Sequence, residues 1–154
     1  MYAAVHATRE AVSTLQRLIE TNIDSAGGFR EAADRVRNHG LAQLFRTTAS
    51  ERDAQAAKLK MFVAASGVKP AVNGTAYGTL QRWWLSLRGT ISDGAAHGIL
   101  AEAERGEDSI KARYEEALED LVDPAVRAVV ERQYQSVKLS HERVRRMRDQ
   151  WKSS

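Results

Sequence analysis

Apolar residues recur along this chain at alternating intervals of three and four, in four long runs. In the first, Val12, Leu15, Ile19, Asn22, Ala26, Phe29, Ala33 and Val36 share one stripe, with Asn22 as a polar intruder. The second carries Leu41, Phe45, Thr48, Arg52, Gln55, Leu59 and Phe62, polar through its middle. A third places Glu107 among Ala96, Leu100, Ala103, Ile110, Tyr114, Ala117 and Leu121. The last sets Gln133 and Ser140 among Val126, Val130, Val137, Val144, Met147 and Trp151. Steps of three and four each nearly complete a helical turn, so every run lies on one face of an α-helix. Four such stripes must be buried on one another, which predicts a bundle.

Punctuation sets the boundaries, at about 5–37, 41–65, 93–120 and 124–150. Asn38, His39 and Gly40 read as the stop of the first helix, with Gly40 suited to a left-handed C-terminal position. Gly27 and Gly28 fall inside that helix and together cost about 2 kcal/mol relative to alanines. They read as a site of close helix approach or of a kink. Gly67 and Pro70 end the second helix, and Asp123 with Pro124 supplies the N-cap and first residue of the last.

Residues 68–92 form a longer connection, in which Leu80, Trp84, Leu87 and Ile91 predict a short helix over about 76–89. Trp83, adjacent to Trp84, points away from that stripe and reads either as an anchor for a partner or a second subunit or as a lone, partly covered aromatic. Two tight hairpins joined by one long crossover are the ferritin-like arrangement. The expectation is an all-α, ferritin-like four-helix bundle forming a single domain over 1–154.

Composition narrows the function classes. The chain has 154 residues, 43% of them hydrophobic and 28% charged, enough for a core without covalent staples. A formal net charge of +3 is too small an excess to argue for nucleic acid by itself. There is no cysteine, which removes disulfides, thiolate metal sites and thiol catalysis. No run of apolar residues is long enough to span a membrane, and Met1 to Glu10 lacks the pattern of a secretory signal. Cytoplasm is the expected compartment.

Several runs resemble a known family. Leu18-Ile-Glu-Thr-Asn-Ile-Asp-Ser25 followed by Gly28-Phe-Arg-Glu-Ala-Ala33 is similar to the first helix of a bacterial ferritin-like family, domain of unknown function 2383. Glu102-Ala-Glu-Arg-Gly-Glu-Asp108, and Glu131-Arg-Gln-Tyr-Gln-Ser-Val-Lys138 on to His141, fit it as well, so the similarity covers about 15–148. The resemblance implies a ferritin-like bundle in a bacterial protein and assigns no activity. A stress-associated role would follow from the fold by analogy alone.

Ferritin-like bundles build di-metal sites from one Glu on each of two helices and a Glu-x-x-His pair on each of the other two, since hard carboxylates balance the metal charge. Glu20, Glu51, Glu104, Glu107 and His141 are the candidates here, for iron or manganese. The diagnostic pairs depart from the pattern. After Glu51 the histidine position is Ala54, followed by Gln55, and three residues before His141 stands Lys138. The competing expectation is a polar layer of Asn22, Arg52, Gln55, Glu107, Gln133, Lys138 and His141, in which Arg52 pairs with Glu107.

Arg143, Arg145, Arg146, Arg148 and Lys152 crowd the last turns of the fourth helix. They suit phosphate binding along nucleic acid, but also complement a helix C-terminus, and Glu142 and Asp149 dilute them. No nucleic-acid-binding motif accompanies them. Val72-Asn-Gly-Thr-Ala-Tyr-Gly78 lacks the Gly-Lys-Ser/Thr of a phosphate loop. The leading expectation is a non-enzymatic bundle protein acting through a homodimer or a protein partner, without a catalytic residue or cofactor. Metal binding and nucleic-acid association are the alternatives.

Overall fold

The computed structural model describes residues 8–74 and 79–152, and among them every regular element is an α-helix. In chain order these are α1 (Arg9–Arg35), α2 (His39–Ala65), α3 (Thr79–Asp93), α4 (Ala96–Asp120) and α5 (Pro124–Lys152). The expected starts at 5 and 76 fall outside the described residues.

The stripes are the buried faces. Leu15, Ile19, Asn22 and Phe29 on α1, and Phe45, Arg52 and Leu59 on α2, are fully covered. So are Leu100, Glu107, Ile110 and Tyr114 on α4 and Val130, Val137, Ser140 and Val144 on α5. Towards the ends the cover thins, and Trp151 is 39% exposed.

Side-chain oxygens start three of the helices. Thr8 Oγ1 accepts from the Ala11 amide at 3.1 Å and Asn38 Oδ1 from that of Leu41 at 3.0 Å. Asp123 Oδ1 accepts from Ala125 at 3.0 Å and Val126 at 3.1 Å, with Pro124 leading the helix where no amide is needed. Asn38 therefore opens α2 instead of closing α1, and Gly40 lies inside α2, not in a left-handed position. An asparagine side chain that reaches the amide three residues on makes a start signal out of what reads as a stop. Among the described residues the left-handed glycines are Gly67 (φ 80°) after α2 and Gly94 (φ 78°) after α3.

Hairpins of three linking residues join α1 to α2 and α4 to α5, so each pair is antiparallel. Across the bundle, Asn22 meets Tyr114 and Arg17 approaches Asp120 at 4.0 Å, which sets α1 antiparallel to α4. Glu51 meets Arg143 and Gln55 meets Gln133, which does the same for α2 and α5. Because α2 and α4 then run parallel, the connection between them must return along the length of the bundle. Gln16 pins its first part, donating to the Lys69 carbonyl at 2.9 Å and accepting from the Ala71 amide at 2.8 Å. Its second part, α3, packs on α1 and α4.

On the short helix Leu87 is buried and Ile91 packs against the core as expected, but Trp83 turns inward instead of away. Trp83 is 6% exposed, its ring centroid 5.1 Å from that of Phe29, and its Nε1 donates to the Glu102 carbonyl at 2.6 Å. Gly106 makes the room: a Cβ there would lie 2.2 Å from the indole. Trp83 and Leu87, one turn apart, are thus both buried on α3. A tryptophan committed to the core is not an anchor for a second subunit. The side chain of Trp84 lies outside the described residues.

Candidate functional site

The polar intruders of the four stripes meet in one layer. Arg52, with no exposed surface, turns Nη2 towards Glu107, donating to Oε1 and Oε2 at 2.7 Å each. The same nitrogen lies 3.3 Å from Ser140 Oγ, and Nη1 lies 3.5 Å from Gln55 Oε1. Nε finds no acceptor. Each contact is made possible by helical phase: Arg52 and Gln55 are one turn apart on α2, facing Glu107 of α4 and Ser140 of α5. A buried carboxylate and a buried guanidinium are each costly alone, and the pair is tolerable because each satisfies the other.

A second chain of bonds runs beside the first. Asn22 Nδ2 donates to the Leu18 carbonyl and to Tyr114 Oη, both at 2.8 Å. Tyr114 Oη donates in turn to Gln133 Oε1 at 2.7 Å, and Gln133 Nε2 donates to the Gln55 carbonyl at 3.2 Å. All four long helices are therefore tied through hydrogen bonds at one level. Burial pushes the Tyr114 hydroxyl up to about 12, against the lowering influence of the Asn22 bond and of the Arg52 charge.

Asn22, Arg52, Gln55, Glu107 and Gln133 belong to this layer as expected, while Lys138 and His141 do not. Lys138 Nζ lies over the ring of Tyr134, 4.8 Å from its centroid. His141 Nε2 pairs with Asp108 Oδ1 at 2.6 Å towards the surface. Both stand beside the Val137–Ser140–Val144 stripe of α5, which carries them to its flanks. Ser140, a polar residue on the α5 stripe, joins the layer beyond the expected set, and Tyr114 is the member the pattern concealed. A tyrosine on an apolar stripe counts as hydrophobic, yet its hydroxyl needs a partner once buried, and that was the available signal.

The metal candidates are dispersed among separate partners. Glu107 faces Arg52. Glu51 takes two bonds from Arg143, at 2.9 and 2.8 Å, and this contact raises the arginine further above its ordinary value. Glu104 pairs with Arg148, and Glu20 stands half-buried on α1. Among the described residues no three of His, Asp and Glu gather where they could hold an ion. The donor set as arranged does not form a carboxylate–imidazole cage.

The arginines of α5 are largely engaged as well. Arg143 is held by Glu51, Arg145 by Glu142 at 3.4 Å, and Arg148 by Glu104 and Asp149. Val72 to Gly78 runs partly beyond the described residues. Among the described residues no helix is long and apolar enough to cross a membrane.

Residues 10–120 match the model of a family described as domain of unknown function, DUF2383. The matched stretch holds α1 to α4, and so Asn22, Arg52, Gln55, Glu107 and Tyr114. The α5 run that fits the resemblance, with Gln133 and Ser140, lies beyond it. No curated protein matches the sequence.

Proposed function

The chain belongs to the DUF2383 family, and we propose that it is a non-enzymatic helical-bundle protein that acts by associating with a second copy of itself or with another protein. The observation that carries this is the buried Arg52–Glu107 pair. A ferritin-like affiliation, supported by the two antiparallel hairpins and the return crossover, would make the middle of the bundle the place where metal is held. Here a guanidinium stands at that level, and Glu51 and Glu104 are neutralised by Arg143 and Arg148. A fixed cation in a poorly polarisable layer opposes the entry of another.

With the interior given to structure, the surface is left for function. The seam between α2 and α5 is the open side of the bundle, a groove of about 280 Å³ reached by Ala54 and Ser136. Met61, two turns along from Ala54, is 64% exposed, and Leu139, one turn along from Ser136, is 67% exposed. We assign the partner to this side of the bundle, where covering Met61 and Leu139 would remove apolar surface from water.

Two measurements on protein purified without chelator or affinity metal test this. Elemental analysis after growth with added iron, and oxygen uptake with ferrous iron, should give metal well below one atom per chain and no turnover. Light scattering across a concentration series should give a dimer or larger species that Leu139→Glu shifts towards monomer. Stoichiometric iron or manganese would overturn the non-enzymatic part. A wild-type monomer at the highest concentration, with no partner captured, would overturn the association.

A further inference from the structure

The α1–α2 turn, the α3–α4 turn and the last turn of α5 enclose a cavity of about 900 Å³ at one end of the bundle. Its chemistry is two-sided. Val36, Leu41, Ile91, Ile99 and Trp151 give it an apolar floor, in which Leu41 and Ile99 are buried core residues. Around this floor stand Arg35, Arg37, Arg88 and His97, with no carboxylate among the described lining residues. Arg35 is engaged by Glu31 at 3.0 Å. Arg37, Arg88 and His97 make no ion pair with any described residue.

Like charges gathered on one rim repel one another across a concave, weakly screened space, and an anion bound among them relieves that cost. Arg30, Arg52, Arg143 and Arg148 have found carboxylates, whereas Arg37 and Arg88 stand together on one concave rim. The first turn of α4 opens into the same cavity. Its first bond within the helix is Ile99 N–H to the Ala95 carbonyl at 3.0 Å, which leaves earlier amides directed outward.

We propose that this cavity binds an organic phosphate monoester with an apolar body, the phosphate held by Arg37, Arg88 and His97 and the body laid on the Leu41–Ile99–Trp151 floor. A bare inorganic anion would use only the rim, and a neutral apolar molecule only the floor. Neither the central polar layer nor the α2–α5 seam takes part, so this site stands independently of the association proposed above.

Titration calorimetry on the full chain tests it, with 1-naphthyl phosphate as the probe and 1-naphthol and inorganic phosphate as comparisons. One 1-naphthyl phosphate should bind per chain, with each comparison weaker by about tenfold or more. Arg37→Glu and Arg88→Glu, both at exposed positions, should each weaken the probe by about tenfold or more. Lys58→Glu makes the same change of net charge on α2 and should alter binding by less than about twofold, because solvent screens a distant charge. Three outcomes would overturn the site: no heat with the phosphate probe up to about 1 mM, 1-naphthol binding as tightly as its phosphate, or equal weakening by Lys58→Glu.

Discussion

Arg52 and Glu107 depend on each other more than either contributes alone. Truncating one leaves the other charged, buried and unpaired, which costs on the order of 3–5 kcal/mol. Arg52→Ala and Glu107→Ala should each lower stability by about that much in urea unfolding. The double variant Arg52→Met with Glu107→Met removes both charges and keeps apolar volume, so it should recover most of the loss. A double variant no more stable than the singles would mean that the bonds to Gln55 and Ser140 carry the layer instead.

Tyr114 supplies the pH dependence of the same layer. Its hydroxyl is held up to about 12 by burial, above the ordinary value of 10.0. Below pH 10 the phenol is neutral in both folded and unfolded chains. Between 10 and 12 the unfolded chain releases its proton while the folded one keeps it, so stability falls as pH rises. The loss approaches about 2–3 kcal/mol by pH 12, since each tenfold difference in proton affinity between the two states is worth about 1.4 kcal/mol. The tyrosinate absorbance of this residue should therefore appear together with loss of helical circular dichroism. Tyr114→Phe should make stability in that window less sensitive to pH, and an unchanged slope would refute the assignment.

At the scale of the elements, two glycines inside helices have opposite reasons for being there. An added Cβ at Gly27 would meet nothing within 4 Å, so no close approach requires it. Gly27→Ala should stabilise α1 by about 1 kcal/mol through helix propensity alone. At Gly106 the same atom would enter the Trp83 indole, which has nowhere to go between Phe29 and the Glu102 carbonyl. Gly106→Ala should cost about 1–3 kcal/mol as overpacking and should change the fluorescence of Trp83. Equal effects at the two positions would show that packing of α3 does not set the difference.

Taken whole, the molecule gains its connectivity from a single polar level that ties four helices, with α3 laid along α1 and α4. A protein whose middle is closed by guanidinium–carboxylate pairs should not draw folding energy from metal. Addition of manganese, or exhaustive treatment with chelator, should leave the thermal midpoint unchanged, because only a ligand that binds the folded state shifts it. A midpoint that rises with manganese concentration would place a metal site in the folded chain.

Helix number and buried faces were legible in the chain because the three-four spacing is a property of each helix alone. Asn22, Glu107, Val130 and Ser140 are buried where that spacing puts them. The Arg52–Glu107 pair was legible too, since an opposite charge on each of two apolar stripes leaves little other choice. What the sequence could not contain was rotation and register between elements. Trp83 rather than a partner-facing position, and Lys138 and His141 on the flanks of α5, depend on which neighbour occupies the facing surface, whereas Asn38 as a start is a local capping signal that competes with the stop read from Gly40. The cationic cavity is a stronger case still: Arg37, Arg88 and His97 belong to three different segments, and no local pattern relates them. Periodicity is written residue by residue, whereas juxtaposition is decided only when the helices pack.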